Sequence, residues 1–145
     1  MKKLILIFLL IVNSYSIAKE FEINTSGTSE TEGLTFNDNS KFRLYKSIGY
    51  WKSSSGDYGT AKCFGTLKND KENKVQFEVY CKHISQEKEH FVLKFSRGSG
   101  TQDSGTGKAL VTETSEKFEY LLNKECNHAI TYIEKAYFAM QKCKL

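Results

Sequence analysis

Two alternating stretches, each with a cysteine in the same phase, constrain this chain more than any other feature. Val75, Phe77, Val79 and Cys81 alternate with Gln76, Glu78, Tyr80 and Lys82, and Ala61, Cys63, Gly65 and Leu67 alternate with Lys62, Phe64 and Thr66. A period of two is the signature of a half-buried strand. The polar run 68–74 between them is turn-forming. Folding the chain about the middle of that run pairs residues whose numbers sum to 144, so Cys63 meets Cys81, Gly65 meets Val79 and Leu67 meets Phe77. One register thus puts the apolar residues on one face and both sulfurs within bridging reach, because opposed Cβ atoms lie about 4.5–5.5 Å apart. The outward pairs become Lys62 with Lys82, Phe64 with Tyr80, and Thr66 with Glu78.

The C-terminus repeats the pattern. Two apolar runs, 129–133 and 137–140, flank Glu134-Lys135, and a fold centred there brings Cys126 opposite Cys143, Ile130 opposite Ala139 and Tyr132 opposite Tyr137. Both faces are partly apolar here and Glu-Lys is not a favoured two-residue turn, so a helix over 129–142 stands as the alternative. The expected disulfides are Cys63–Cys81 and Cys126–Cys143, each worth on the order of 3 kcal/mol. A crossed pairing, Cys63–Cys143 with Cys81–Cys126, is the competing arrangement. Zinc is disfavoured because no two cysteines stand at the close spacing typical of zinc sites.

Disulfides imply an oxidising compartment, and the first residues supply a route to one. Met1-Lys2-Lys3 is a short positive start, Leu4 to Val12 is an unbroken apolar run, and Ser16-Ile17-Ala18 is a small-residue cleavage pattern. We read 1–18 as a signal peptide, with an uncleaved anchor as the alternative. The apolar run is about half of what a spanning helix needs, and no later stretch is long and apolar enough, so no stable membrane span is expected after cleavage. The expected destination is the periplasm or the extracellular space. The whole chain carries 21 basic and 17 acidic residues, for +4. Losing Lys2 and Lys3 leaves +2, which gives no nucleic-acid footprint.

The remaining residues read as one β-domain. Residues 19–40 are rich in Ser, Thr, Asn, Gly and Glu and read as a polar N-terminal arm or edge strand. Within 41–145, Phe42, Leu44, Lys46, Ile48 and Tyr50 alternate with Lys41, Arg43, Tyr45, Ser47 and Gly49. Phe91 to Phe95 and Ala109 to Val111 are further strands, 97–107 is a long Gly/Ser/Thr loop, and Phe118 to Leu122 is a strand or one helical turn. Strands at roughly ten-residue spacing predict an all-β fold, a small antiparallel β-barrel, with a β-sandwich as the alternative. Phe42, Phe77 and Phe91 are the residues expected to face its interior.

Catalytic motifs are hard to sustain. Gly105-Thr106-Gly107-Lys108 resembles a phosphate loop only briefly, because Gln102 stands where its first Gly belongs and Ala109 where its Ser or Thr belongs. These glycines read instead as a tight turn. His83, His90 and His128 read as surface residues, since nothing in their spacing makes them converge. No catalytic residue, metal ligand or cofactor is assigned. The candidate binding residues are the aromatics around the first hairpin, Trp51, Tyr58, Phe64 and Tyr80, with Arg97 and Lys108 on the long loop.

The run from Trp51 to Cys63, the element Ser104-Gly-Thr-Gly-Lys108 and the closing cysteine-bracketed segment resemble small exported bacterial proteins of unassigned role. The glycine element is also loosely similar to a turn in allene-oxide-cyclase-like and dirigent-like barrels. The resemblance spans 45–145 and rests on turn chemistry. It implies an eight-stranded barrel whose mouth holds an apolar ligand, and it transfers no catalytic residue. Function is therefore expected to be non-enzymatic binding of a small apolar or amphipathic ligand. An extracytoplasmic protein partner, as for a secreted enzyme inhibitor, is the alternative. An isomerase or cyclase ranks third, because the inward positions assigned here are almost all apolar or Gly.

Overall fold

The computed structural model describes residues 19–72, 74–97 and 104–145. They form a closed barrel of eight antiparallel strands, each hydrogen-bonded to its neighbours in sequence and the last to the first. The strands are β1 (Glu20–Thr35), β2 (Lys41–Ser53), β3 (Tyr58–Asn69), β4 (Val75–Ser85), β5 (His90–Arg97), β6 (Ser104–Thr114), β7 (Glu125–Ile133) and β8 (Ala136–Lys144), with a 3₁₀ segment, Glu116–Leu121, between β6 and β7. Closure gives every strand a partner on both sides and so leaves no strand wholly at an edge.

Both hairpin registers are as the cysteine spacing predicts. Cys63 pairs with Cys81, Phe64 with Tyr80 and Leu67 with Phe77, while Cys126 pairs with Cys143 and Tyr132 with Tyr137. Both disulfides form, with Cα separations of 4.0 and 3.9 Å. They lie on β3–β4 and β7–β8, half the barrel circumference apart, and all four sulfurs point inward. Residues 129–142 are two strands and a turn, not a helix; the turn closes because Glu134 takes a left-handed φ of 56°.

Three expectations are corrected. Residues 20–35 are not a loose arm: β1 is hydrogen-bonded along β2 over 23–35 and along β8 over 20–28, so that only 29–35 keep a single strand neighbour, and it buries Phe21, Ile23 and Thr25. Ser104 to Lys108 is no turn either, since it forms the start of β6 and pairs with Thr131 to Asn127 on β7. The third correction concerns β2. Its inward residues are Tyr45, Ser47, Gly49 and Trp51, whereas Leu44, Ile48 and Tyr50 face out and Phe42 lies in their phase. The register compels this, because Ser47 lies opposite inward Cys63 and cross-strand partners share a face.

Residues 1–18, read from the sequence as a signal peptide, lie outside the described residues, as do 98–103 and the Arg97 side chain. No helix among the described residues is long and apolar enough to cross a membrane.

Candidate functional site in the barrel lumen

One end of the lumen is sealed by aromatic rings. Trp51 lies 5.2 Å from Phe91 and 6.3 Å from Phe118, and Phe91 lies 5.1 Å from Phe118, all edge-to-face. Phe118 and Leu121, fully buried, come from the 3₁₀ segment, which crosses this end as a plug. Lys117 fastens the plug, reaching Asp57 on the β2–β3 turn at 2.6 Å and Glu87 on the β4–β5 turn at 3.0 Å. Burial pushes the Asp57 carboxyl up, but hydrogen bonds from Lys117 and Ser55 and the lysine charge outweigh it and hold its pKa below the usual value. Toward the other end the Tyr132 hydroxyl donates to the Tyr45 hydroxyl at 3.3 Å across the lumen.

Between these ends lies a cavity bordered by the Cys63–Cys81 disulfide, Phe77, Val79, Phe95, Ile130 and Ala139. It offers about 30 Å³ to the centre of a water-sized sphere, room for roughly two or three waters. Its polar lining comes from Thr25, Ser47, His83, His128, Tyr137 and Gln141. Five buried side-chain oxygens among the described residues lack a hydrogen-bond partner, and four of them border this cavity: Thr25 Oγ1, Ser47 Oγ, Tyr137 OH and Gln141 Oε1. Leaving a buried oxygen unpaired costs about 1–3 kcal/mol.

Each polar group is held in place by a neighbour. Gln141 Nε2 donates to His128 Nδ1 at 3.2 Å across the β7–β8 pair, an orientation of the amide that goes with the imidazole proton on Nε2. Turning the amide over would leave Nε2 unpaired instead of Oε1, so one end of Gln141 faces the cavity in either orientation. His128 also packs against Phe95 with centroids 4.6 Å apart. Tyr137 lies over Gly49, where an added Cβ would stand 2.4 Å from its hydroxyl. Burial pushes the Tyr137 phenol up to about 12, with the Ser47 side chain opposing part of the shift. The two hydroxyls approach each other without reaching full hydrogen-bond geometry, and neither has another partner. His83, stacked flat on Phe91, is desolvated enough to bring its pKa down to about 4, against a weak opposing bond to the Cys81 carbonyl.

The sequence-derived site residues do not converge. Trp51, 2% exposed, is part of the plug, with its Nε1 donating to the Ile84 carbonyl at 3.3 Å. Tyr58, Phe64 and Tyr80 face outward, the last two 52% and 43% exposed. Lys108 is exposed and bonds Glu125 at 2.7 Å, while the Arg97 side chain lies outside the described residues. His83 and His128 are luminal, not superficial; only His90 is on the rim, 2.9 Å from Glu113. The interior is correspondingly more polar than the sequence led us to expect. The signal was present: His83, His128 and Gln141 each stand two residues from a cysteine, in the same inward phase. No group of His, Cys, Asp and Glu among the described residues is arranged to hold a metal ion.

A solved structure of an enzyme from Penicillium herquei has a similar fold, with a TM-score of 0.64 at 12% identity, covering 86% of this chain and 93% of that one. At such identity the likeness establishes the barrel alone. No protein-family model and no curated protein matches the sequence.

Proposed function

We propose that this protein is a non-enzymatic binding barrel that takes a small amphipathic ligand into the lumen, polar end toward Gln141, Tyr137, Ser47 and Thr25. The observation that carries this reading is the convergence of four unpaired, buried oxygens on one apolar-walled cavity. Unpaired groups cost stability unless a guest satisfies them. The three hydroxyls can donate or accept, and the Gln141 carbonyl accepts, so the fitting head group is a neutral alcohol, amide or protonated acid. A guest of roughly three to five heavy atoms fits the existing space, and a longer tail requires rotamer changes toward the Tyr45–Tyr132 end. The allene-oxide-cyclase-like and dirigent-like resemblance supports the same reading, as barrels with a ligand-holding mouth.

We further infer that the chain is exported by its N-terminal 18 residues to the periplasm or beyond, which suits its two disulfides.

Native mass spectrometry of the exported protein tests the binding proposal. Extra mass that disappears on mild activation, with a melting temperature that drops once the guest is removed, is the expected result. A bare polypeptide mass from every preparation, with no melting shift after exhaustive dialysis, overturns it.

A second reading is favoured by the same cavity. The Tyr137 phenol, which burial keeps protonated, offers a proton donor, as an isomerase or cyclase acting on the guest requires. The similar barrel from Penicillium herquei is an enzyme, which leans the same way. Recovery of a guest chemically unchanged after prolonged incubation speaks against this second reading.

A further inference from the structure

We propose that the outer wall formed by β2, β3 and β4 docks this protein on an anionic phospholipid bilayer. The near-neutral mature charge conceals a strong segregation. Lys46, Lys52, Lys62, Lys68, Lys82 and Lys94 point outward from β2–β5, with Glu78 the one carboxylate among the outward residues of those strands. Glu78 is already bound to Lys94 at 3.0 Å, and Lys46 has Glu30 as its partner on β1. The other four have no acidic cross-strand neighbour. Lys52 lies between Asn24 and Tyr58, and Lys68 between Phe42 and Gln76. Lys62 and Lys82 stand directly opposite one another, flanked by Ile48 and Val92. Like charges opposed on a sheet are destabilising, so this wall is built at a cost that a negatively charged partner offsets.

Apolar side chains project between the lysines. Leu44, Ile48, Tyr50, Phe64 and Tyr80 are each 43–73% exposed, and in the row Lys46, Phe64, Tyr80, Lys94 two aromatics are bracketed by cations. The Lys94 ammonium sits 5.4 Å above the Tyr80 ring. This combination selects among anionic partners. An acidic polymer would be served by the cations alone, whereas here exposed Leu44, Ile48, Tyr50, Phe64 and Tyr80 stand out between them. A bilayer interface accepts such projections: aromatic and aliphatic groups enter the headgroup region while lysines lie along it and reach phosphate. The anionic surface potential adds to this for every lysine brought near.

Co-sedimentation of the full exported chain with vesicles is the test. With phosphatidylcholine vesicles containing roughly one phosphatidylglycerol in three, binding is expected at low salt and is lost in about 0.5 M salt. Lys62→Gln with Lys82→Gln is expected to lower the partition coefficient about tenfold or more. Phe64→Ser with Tyr80→Ser lowers it about tenfold at each low salt concentration where the native protein binds. Lys135→Gln with Lys144→Gln, off this wall, leaves it unchanged. Melting temperatures measured on the same variants show that the barrel remains folded. The proposal is overturned by an absence of sedimentation, by equal sedimentation with pure phosphatidylcholine, or by equal loss in the Lys135/Lys144 variant. Capture by dextran sulfate through Lys62 and Lys82 with no vesicle binding also overturns it and assigns the wall to an acidic polymer.

Discussion

His83 lies parallel to Phe91, its direct cross-strand partner, with ring centroids 4.7 Å apart and planes within 5°. Trp51 closes over both at 5.8 and 5.2 Å. An imidazole enclosed in this way has no water to solvate a charge, and its pKa falls from 6.5 to about 4.

That shift makes stability depend on pH. Above about pH 6.5 the ring is neutral in both folded and unfolded chains and contributes no pH dependence. Between 6.5 and 4 the unfolded chain takes up a proton that the folded one refuses, so stability falls as pH falls, by up to about 3 kcal/mol, and levels off below 4. Urea titrations of the native protein and His83→Phe across this window are expected to diverge toward low pH. Parallel curves would mean that the ring is not sealed.

Trp51 and the outer aromatic pair separate plug from surface. Trp51→Ala is expected to cost about 3–5 kcal/mol by opening a cavity beneath the 3₁₀ segment. Phe64→Ala with Tyr80→Ala should cost about 1 kcal/mol in total, because it removes one exposed cross-strand contact. Thermal unfolding of both variants measures the contrast, and a comparable loss in the two would place Trp51 outside the core.

Gly49 marks where one strand yields to another. A Cβ there would meet the Tyr137 hydroxyl at 2.4 Å and the Ser26 carbonyl at 2.5 Å, and the second is backbone. Gly49→Ala is expected to cost about 1–3 kcal/mol and to displace the Tyr137 ring, visible in near-UV circular dichroism.

The β7–β8 turn offers the opposite outcome. Glu134 occupies the left-handed region at φ 56° with no glycine to make that cheap. Glu134→Gly is expected to raise stability by roughly 1 kcal/mol, read from the urea midpoint at unchanged slope.

These cases show what the residues reveal before the barrel is known. Cys63 and Cys81 recur in phase with Val75, Phe77 and Val79, so register, facing and disulfide pairing follow from one alignment. β2 reads backwards for a physical reason. Its inner face is Tyr45, Ser47 and Gly49 because Ser47 lies opposite inward Cys63, and position 49 holds no side chain because the Tyr137 phenol, reaching across β1, occupies that space. Periodicity within one strand cannot register a side chain arriving from another. β1 is obscured in the same way: its polar residues 26–32 look like a loose arm, and only pairing with β2, joined by β8 as far as Thr28, makes them a strand. The luminal site was legible in part, since inward Cys81, Cys126 and Cys143 fix the facing of His83, His128 and Gln141, whereas the unpaired state of Thr25, Ser47 and Tyr137 is a property of the closed barrel.

The central claim is that these luminal oxygens are kept unpaired for a guest. Titrating the ¹⁵N-labelled protein with butanol and propionamide while following the Gln141 side-chain amide by nuclear magnetic resonance tests it most directly. Saturable shifts of that amide, with affinity about tenfold weaker in Tyr137→Phe, are the predicted result. Non-saturating shifts with both probes, together with Gln141→Leu more stable than the native protein, would show that the lumen is only an imperfectly packed core.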